Sequence, residues 1–195
     1  MDKRPAGPPV PEIERLRLPY LLKRFPARAV WALFVFINGF VTMAILGAVA
    51  VVSKTPFVFP SLGPTALLLF FNPLTAAASP RSVLFGHGVG IVCGYGALWL
   101  LGLTLEPPAL VAGVHAQRVI CAALSLVSTG ALMVLLDVWH PPAGATTLIV
   151  SLGIITSPYH LLIIELAVAL LVLQAVLINR AAGLEYPIWS FREKR

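Results

Sequence analysis

The chain has 195 residues, of which 58% are hydrophobic and 11% charged, with a mean hydropathy of +0.91. Soluble domains carry roughly 25% charged residues, so this composition describes an integral membrane protein with enough chain for one compact bundle. The net charge of +6 divides into +4 for residues 1–28, zero for 29–179 and +2 for 180–195. Basic tails flanking apolar spans set topology. No patterned basic patch or aromatic platform accompanies them, which removes nucleic acid as a partner.

Residues 1–28 combine a Pro-rich start (Pro5, Pro8, Pro9, Pro11) with a basic stretch interleaved by Ile13, Leu16, Leu18, Leu21 and Leu22. This segment is too polar for a signal peptide; it suits a juxtamembrane helix on anionic lipid, with a solvated cytosolic tail as the alternative. The first apolar span, 29–53, is therefore expected to stay in the mature chain. Further long spans cover 82–105, 118–138 and 159–179, each able to cross about 30 Å of hydrocarbon. Two shorter apolar stretches, 62–71 and 143–155, reach only about 15 to 20 Å as helix. Both cysteines, Cys93 and Cys121, lie in apolar spans without paired spacing and read as small buried residues.

The fold class expected is all-α and polytopic: four long transmembrane helices plus two half-helices in a two-fold internal repeat. Its parts are a cytoplasmic tail (1–28), a first membrane repeat (29–105), a loop (106–117), a second membrane repeat (118–179) and a cytoplasmic C-terminal tail (180–195). Both tails face inward across a cell inner (plasma) membrane, and Lys54 faces out. If the half-helices complete crossings, each repeat crosses three times and the copies are inverted. If they are re-entrant hairpins, each repeat crosses twice and the copies are parallel. The inverted 3+3 arrangement is preferred, because it brings two half-helix N-termini face to face.

The repeat is written in the residues. Pro60-Ser61-Leu62-Gly63-Pro64-Thr65 and Pro141-Pro142-Ala143-Gly144-Ala145-Thr146 both read P-x-x-G-x-T, 81 positions apart. Ser79-Pro80 and Ser157-Pro158 follow them, 78 apart. A duplicated Pro/Gly-broken segment in so hydrophobic a chain marks a solute site between two halves. Proline suits a helix's first turn, glycine admits close approach, and the first-turn N–H groups with the positive end of the helix dipole attract an anion. Threonine adds a hydroxyl. The expected solute-binding set is Pro60, Ser61, Gly63, Thr65, His140, Pro141, Pro142, Gly144 and Thr146. The bland alternative is that Pro and Gly merely kink two helices, and the duplication weighs against it.

His87 and Glu165 are also 78 positions apart, which makes them equivalent in the two halves. Ionisable groups inside a span are costly and commonly serve a pathway, so these two, with Asp137, are candidates for proton coupling or gating. A structural hydrogen bond between the halves is an equal alternative. Asp137 is placed to orient His140 or cap the broken backbone. Gly86, Gly90 and Gly94 form a small-residue face for close helix packing. Asn38, Ser125, Ser128 and Thr129 are expected to form hydrogen bonds between helices. No His-Glu-x-x-His pattern, paired-Cys motif, nucleophile elbow or phosphate loop is present. No metal, cofactor or enzymatic activity is therefore expected.

The string Asp137-Val138-Trp139-His140-Pro141-Pro142-Ala143-Gly144-Ala145-Thr146 resembles the signature of the HPP family of integral membrane proteins. Pro60 to Ala66 and Gly86-His87 resemble further blocks of it. The resemblance covers roughly residues 29–179 and implies four membrane helices. It also implies a link to nitrite transport, with which some members are associated. The reading adopted is a transporter or channel for a small inorganic anion, nitrite first, in a lipid bilayer and with a possible homo-oligomer. The alternatives are a transporter of another small solute using Asp137 and Glu165, or a non-transporting membrane scaffold working through its basic tail.

Overall fold

The computed structural model describes residues 12–190. Pro5, Pro8, Pro9, Pro11, Arg192, Lys194 and Arg195 lie outside the described residues, as does the side chain of Ile13. The chain is a membrane protein, and its elements are helical; no strand occurs among the described residues.

Two short helices, α1 (Glu12–Arg15) and α2 (Leu18–Arg24), precede α3 (Ala27–Ser53). A ten-residue helix α4 (Leu62–Phe71) and a 3-10 turn (Ala76–Ala78) lead to α5 (Pro80–Leu100). After the short α6 (Ala109–Ala112), α7 (Ala116–Leu135), the nine-residue α8 (Ala143–Ser151) and α9 (Pro158–Ala181) give a second series of long, short and long helices. Four helices, α3, α5, α7 and α9, are long and apolar enough to cross a membrane.

Local signals explain most boundaries. Ser79 caps α5 by accepting from the Ser82 N–H (3.3 Å), and Pro80 follows at the first helical position. The spans end earlier than hydropathy suggests, at Leu100, Leu135 and Ser151, because left-handed residues stop them. These are Gly102 (φ 68°), Asp137 (φ 53°) and Gly153 (φ 76°).

Hydrogen bonds between ends fix the directions. The Leu18 N–H donates to the Ala182 carbonyl (2.9 Å), so α2 and the C-terminus of α9 share one side, here the tail side. Asn179 Nδ2 donates to the Leu69 carbonyl (3.0 Å), and the Arg81 N–H to the Trp189 carbonyl (2.9 Å). The end of α4 and the start of α5 are therefore also on the tail side. Arg81 further donates to the carbonyls of Leu136 and Asp137, which places the end of α7 there too. At the far side, Gln117 Nε2 donates to the Leu101 carbonyl (2.6 Å) and the Ala109 N–H to the Leu152 carbonyl (2.9 Å). Hence α4 runs toward the tail side and α8 runs away from it.

The glycine face of α5 seats α8. A Cβ on Gly86 would stand 2.8 Å from His140 Cβ, on Gly90 2.9 Å from the Ala143 carbonyl oxygen, and on Gly94 2.8 Å from Val150 Cβ. In lipid, where apolar surface drives nothing together, such close approach is what holds helices. Gly88 and Gly96 face open space. On the other flank, Leu62, Leu69 and Phe70 of α4 join Ile164, Val168 and Leu171 of α9 in a continuous buried cluster. Cys93 and Cys121 are buried free thiols.

Candidate functional site

Thr65 is the fourth residue of α4 and Thr146 the fourth of α8, so each sits where a first turn ends. Both are fully buried, as are His87 and His140. The His87 ring joins them: Nε2 lies 3.0 Å from Thr65 Oγ1 and Nδ1 lies 2.7 Å from Thr146 Oγ1. Thr65 Oγ1 also contacts His140 Nε2 (3.2 Å) and its own i−4 carbonyl at Ser61 (3.0 Å). His140 Nδ1 lies 2.7 Å from the Ala77 carbonyl oxygen. A carbonyl can only accept, so Nδ1 of His140 carries a hydrogen. The two imidazole centroids are 5.1 Å apart. Six residues from four segments (61–65, 76–78, α5 and 140–146) thus form one buried polar chain.

The P-x-x-G-x-T pattern places these threonines. Pro60 and Pro141 are exposed, while Thr65 and Thr146, five residues on from each, are buried. Pro142 and Gly144 are half-buried, and a Cβ on Gly144 would stand 3.3 Å from Leu126 Cδ1. Gly63 faces open space. Ser61 Oγ, one turn from Thr65, is buried without a hydrogen-bond partner. Between the two breakers lies a groove of about 530 Å³ lined by Pro64, Ala77, Pro141 and Pro142 among others. The carbonyl of the lining residue Ala77 bonds His140 Nδ1.

Three expectations need adjustment. The first-turn donors of α8 are already engaged: the N–H groups of Ala143, Gly144 and Ala145 donate to the carbonyls of His140, Pro141 and Pro142 at 3.0 to 3.1 Å. In α4, the Leu62 N–H donates to the Phe59 carbonyl (3.0 Å). The groups that converge are hydroxyls and imidazoles, and at α8 the first-turn amides are already bonded. Next, no hydrogen bond joins His87 to Glu165; Glu165 Oε2 is buried without a partner on α9. Finally, Asp137 is exposed and its main-chain carbonyl is held by Arg81, while the Ala77 carbonyl orients His140.

Thr129 makes the bond between helices expected of it, whereas Asn38 and Ser125 bond carbonyls of their own helices. Thr129 Oγ1 bonds Thr147 Oγ1 (2.9 Å), behind the α5 glycine face. Arg118 is buried at the far end of α7. It donates to the Ser151 (3.4 Å) and Pro107 (3.1 Å) carbonyls and lies 3.6 Å from the Glu106 carboxylate, which also bonds His115. A charge in an apolar stretch is legible; which helix end it caps is not. Among the described residues no group of three or more His, Cys, Asp or Glu gathers.

No curated protein and no solved structure matches the chain. The model of the HPP transmembrane region matches residues 25–187, spanning every long helix and the whole buried His–Thr chain. The chain belongs to the HPP family of membrane proteins.

Proposed function

We propose that the protein is a transporter or channel for a small inorganic anion, nitrite first, built as an inverted 3+3 repeat in the inner (plasma) membrane with its N-terminus cytoplasmic. The observation that carries the reading is the His87 ring, hydrogen-bonded through its two nitrogens to Thr65 and Thr146. These threonines occupy matching places in the sequence echo, on short helices that run in opposite directions. The positive ends of both helix dipoles meet there. Such discontinuous helices crossing at mid-depth are how transporters place a solute site in lipid.

In this conformation the site is closed, because the four side chains are fully buried and bonded to one another. Passage of an anion parts the Thr65–His87–Thr146 bonds and substitutes the solute's oxygens as acceptors. Hydroxyl and imidazole donors suit a weakly basic monovalent anion, bound firmly enough to enter and loosely enough to leave. The rival ligand pair has less support: Asp137 is exposed at the end of α7 and Glu165 lies on α9, with no bond between them.

Uptake of nitrite into liposomes containing the purified protein tests this, with chloride, nitrate and formate in parallel. Saturable nitrite flux is expected, and it falls at least tenfold in Thr65→Val and in Thr146→Val while Ser128→Ala stays near wild type. Gly63→Leu tests the helix-terminus part separately, since a side chain there meets open space. Undiminished flux in both threonine variants would overturn the site, and no flux of any anion through folded protein would overturn the function.

A further inference from the structure

The hydrogens of the buried chain can be counted, and the count does not close for neutral histidines. His140 commits its Nδ1–H to the Ala77 carbonyl. Four contacts then remain: Thr146 to His87, His87 to Thr65, Thr65 to His140, and Thr65 to the Ser61 carbonyl. Each requires one hydrogen. Neutral groups supply three: one from each threonine hydroxyl and one from His87. One contact in the set is left with two acceptors face to face, in a site with no exposure to water, where an unmatched polar pair is costly.

A single added hydrogen completes the set, and only one position for it does so. With His140 Nε2 protonated, Nε2–H donates to Thr65 Oγ1 and the Thr65 hydroxyl donates to the Ser61 carbonyl. His87 then donates Nε2–H to the second lone pair of Thr65, and the Thr146 hydroxyl donates to His87 Nδ1. Each contact is satisfied with correct polarity. Placed on His87 instead, the added hydrogen leaves the Thr146 hydroxyl without a role. It also makes Thr65 choose between Ser61 and His140.

We propose that this cluster, neutral and one hydrogen short while closed, takes up one proton at His140 when the anion enters, and that this proton is the coupling ion of anion transport. The inference rests on the anion reading above and specifies its stoichiometry. A buried monovalent anion needs a counter-charge, and an imidazolium at His140 supplies it inside the chain that the anion opens. The charged and titratable groups around His140 leave that role to the pair. On α5 these are His87, and Arg81, which is spent on the Leu136 and Asp137 carbonyls. Asp137 is exposed, Glu165 bonds neither ring, and α4, α8 and the 76–78 turn carry no ionisable side chain. One anion and one proton moving together transfer no net charge.

Proton uptake on nitrite addition to the purified protein in weak buffer, followed with a pH indicator beside direct nitrite binding, tests this. About one proton per nitrite bound is expected in the wild type. His140→Asn keeps a side-chain donor for the Ala77 carbonyl but loses the uptake, and Thr65→Val lowers it. In liposomes the wild-type flux follows the pH gradient and ignores membrane potential. Nitrite binding without proton uptake, or flux driven by potential alone, overturns the inference and leaves the anion reading standing. Uptake lost in His87→Asn but kept in His140→Asn overturns the assignment to His140. No nitrite binding or flux at all overturns both.

Discussion

The Nδ1 atom of His87 lies 2.7 Å from Thr146 Oγ1, so a side chain of the first half is anchored in the first turn of a helix from the second. Thr146 is the counterpart of Thr65 in the sequence echo, and Thr65 holds the other nitrogen of the same ring. The imidazole is a clasp between two helix beginnings.

The clasp is measurable as a coupling energy. Thr146→Val and His87→Leu each leave a buried partner unpaired, at a cost of about 1–3 kcal/mol. The double variant should cost less than the two together by about 1 kcal/mol or more. Thermal or denaturant unfolding in detergent gives all three values, and strict additivity would mean that the contact contributes nothing.

Glycines on one helix should differ sharply. Gly90→Ala puts a methyl 2.9 Å from both the Ala143 carbonyl oxygen and Thr147 Oγ1, and should destabilise by about 1–3 kcal/mol. Gly88→Ala meets nothing within 4 Å and should be neutral or gain up to about 1 kcal/mol from helix propensity. Melting temperatures of the two variants decide it; equal effects would refute the packing face.

Arg118 holds a helix end by charge. Arg118→Ala removes the guanidinium from the Ser151 and Pro107 carbonyls and should cost about 3 kcal/mol or more. Glu106→Gln, on the exposed side of the same pair, should cost less than about 1 kcal/mol. Unfolding midpoints of the two variants, side by side, test whether the burial of Arg118 or its ion pair matters.

Sidedness follows from the end-to-end hydrogen bonds. In a background lacking Cys93 and Cys121, single cysteines at Asn72 and Glu185 should react with an impermeant reagent from one side, and those at Lys54 and Glu106 from the other. Asn72 reacting together with Lys54 would mean that α4 returns to the side it came from, as in a re-entrant hairpin.

Much of this layout is legible in the chain. The four spans follow from hydropathy. Leu62–Phe71 needs no adjustment, because Pro60 and the polar Asn72 bound it clearly. Thr65, Thr146, His87 and His140 stand out as polar residues in apolar or broken surroundings. Their partners do not, since sequence offset gives equivalence and not contact. His87 and Glu165 each stand seven residues beyond the proline of their Ser-Pro pair, but α5 starts from the tail side and α9 from the far side. Equal counts from opposite faces put them at different depths. The main-chain partners, such as the Ala77 carbonyl on His140 and the Leu136 and Asp137 carbonyls on Arg81, leave no mark in side-chain type.

The short turn Ala76–Ala78 offers two neighbouring carbonyls to different readers. Ala77 takes His140, and Ala78 takes the hydroxyl of Tyr186, a fully buried phenol whose burial pushes its pKa above the ordinary value. The segment after α9 is therefore one peptide unit removed from the interior of the bundle. A pull on the C-terminal end would be felt at His140, which makes that end a poor place to attach a purification handle and a sensitive place to attach a probe.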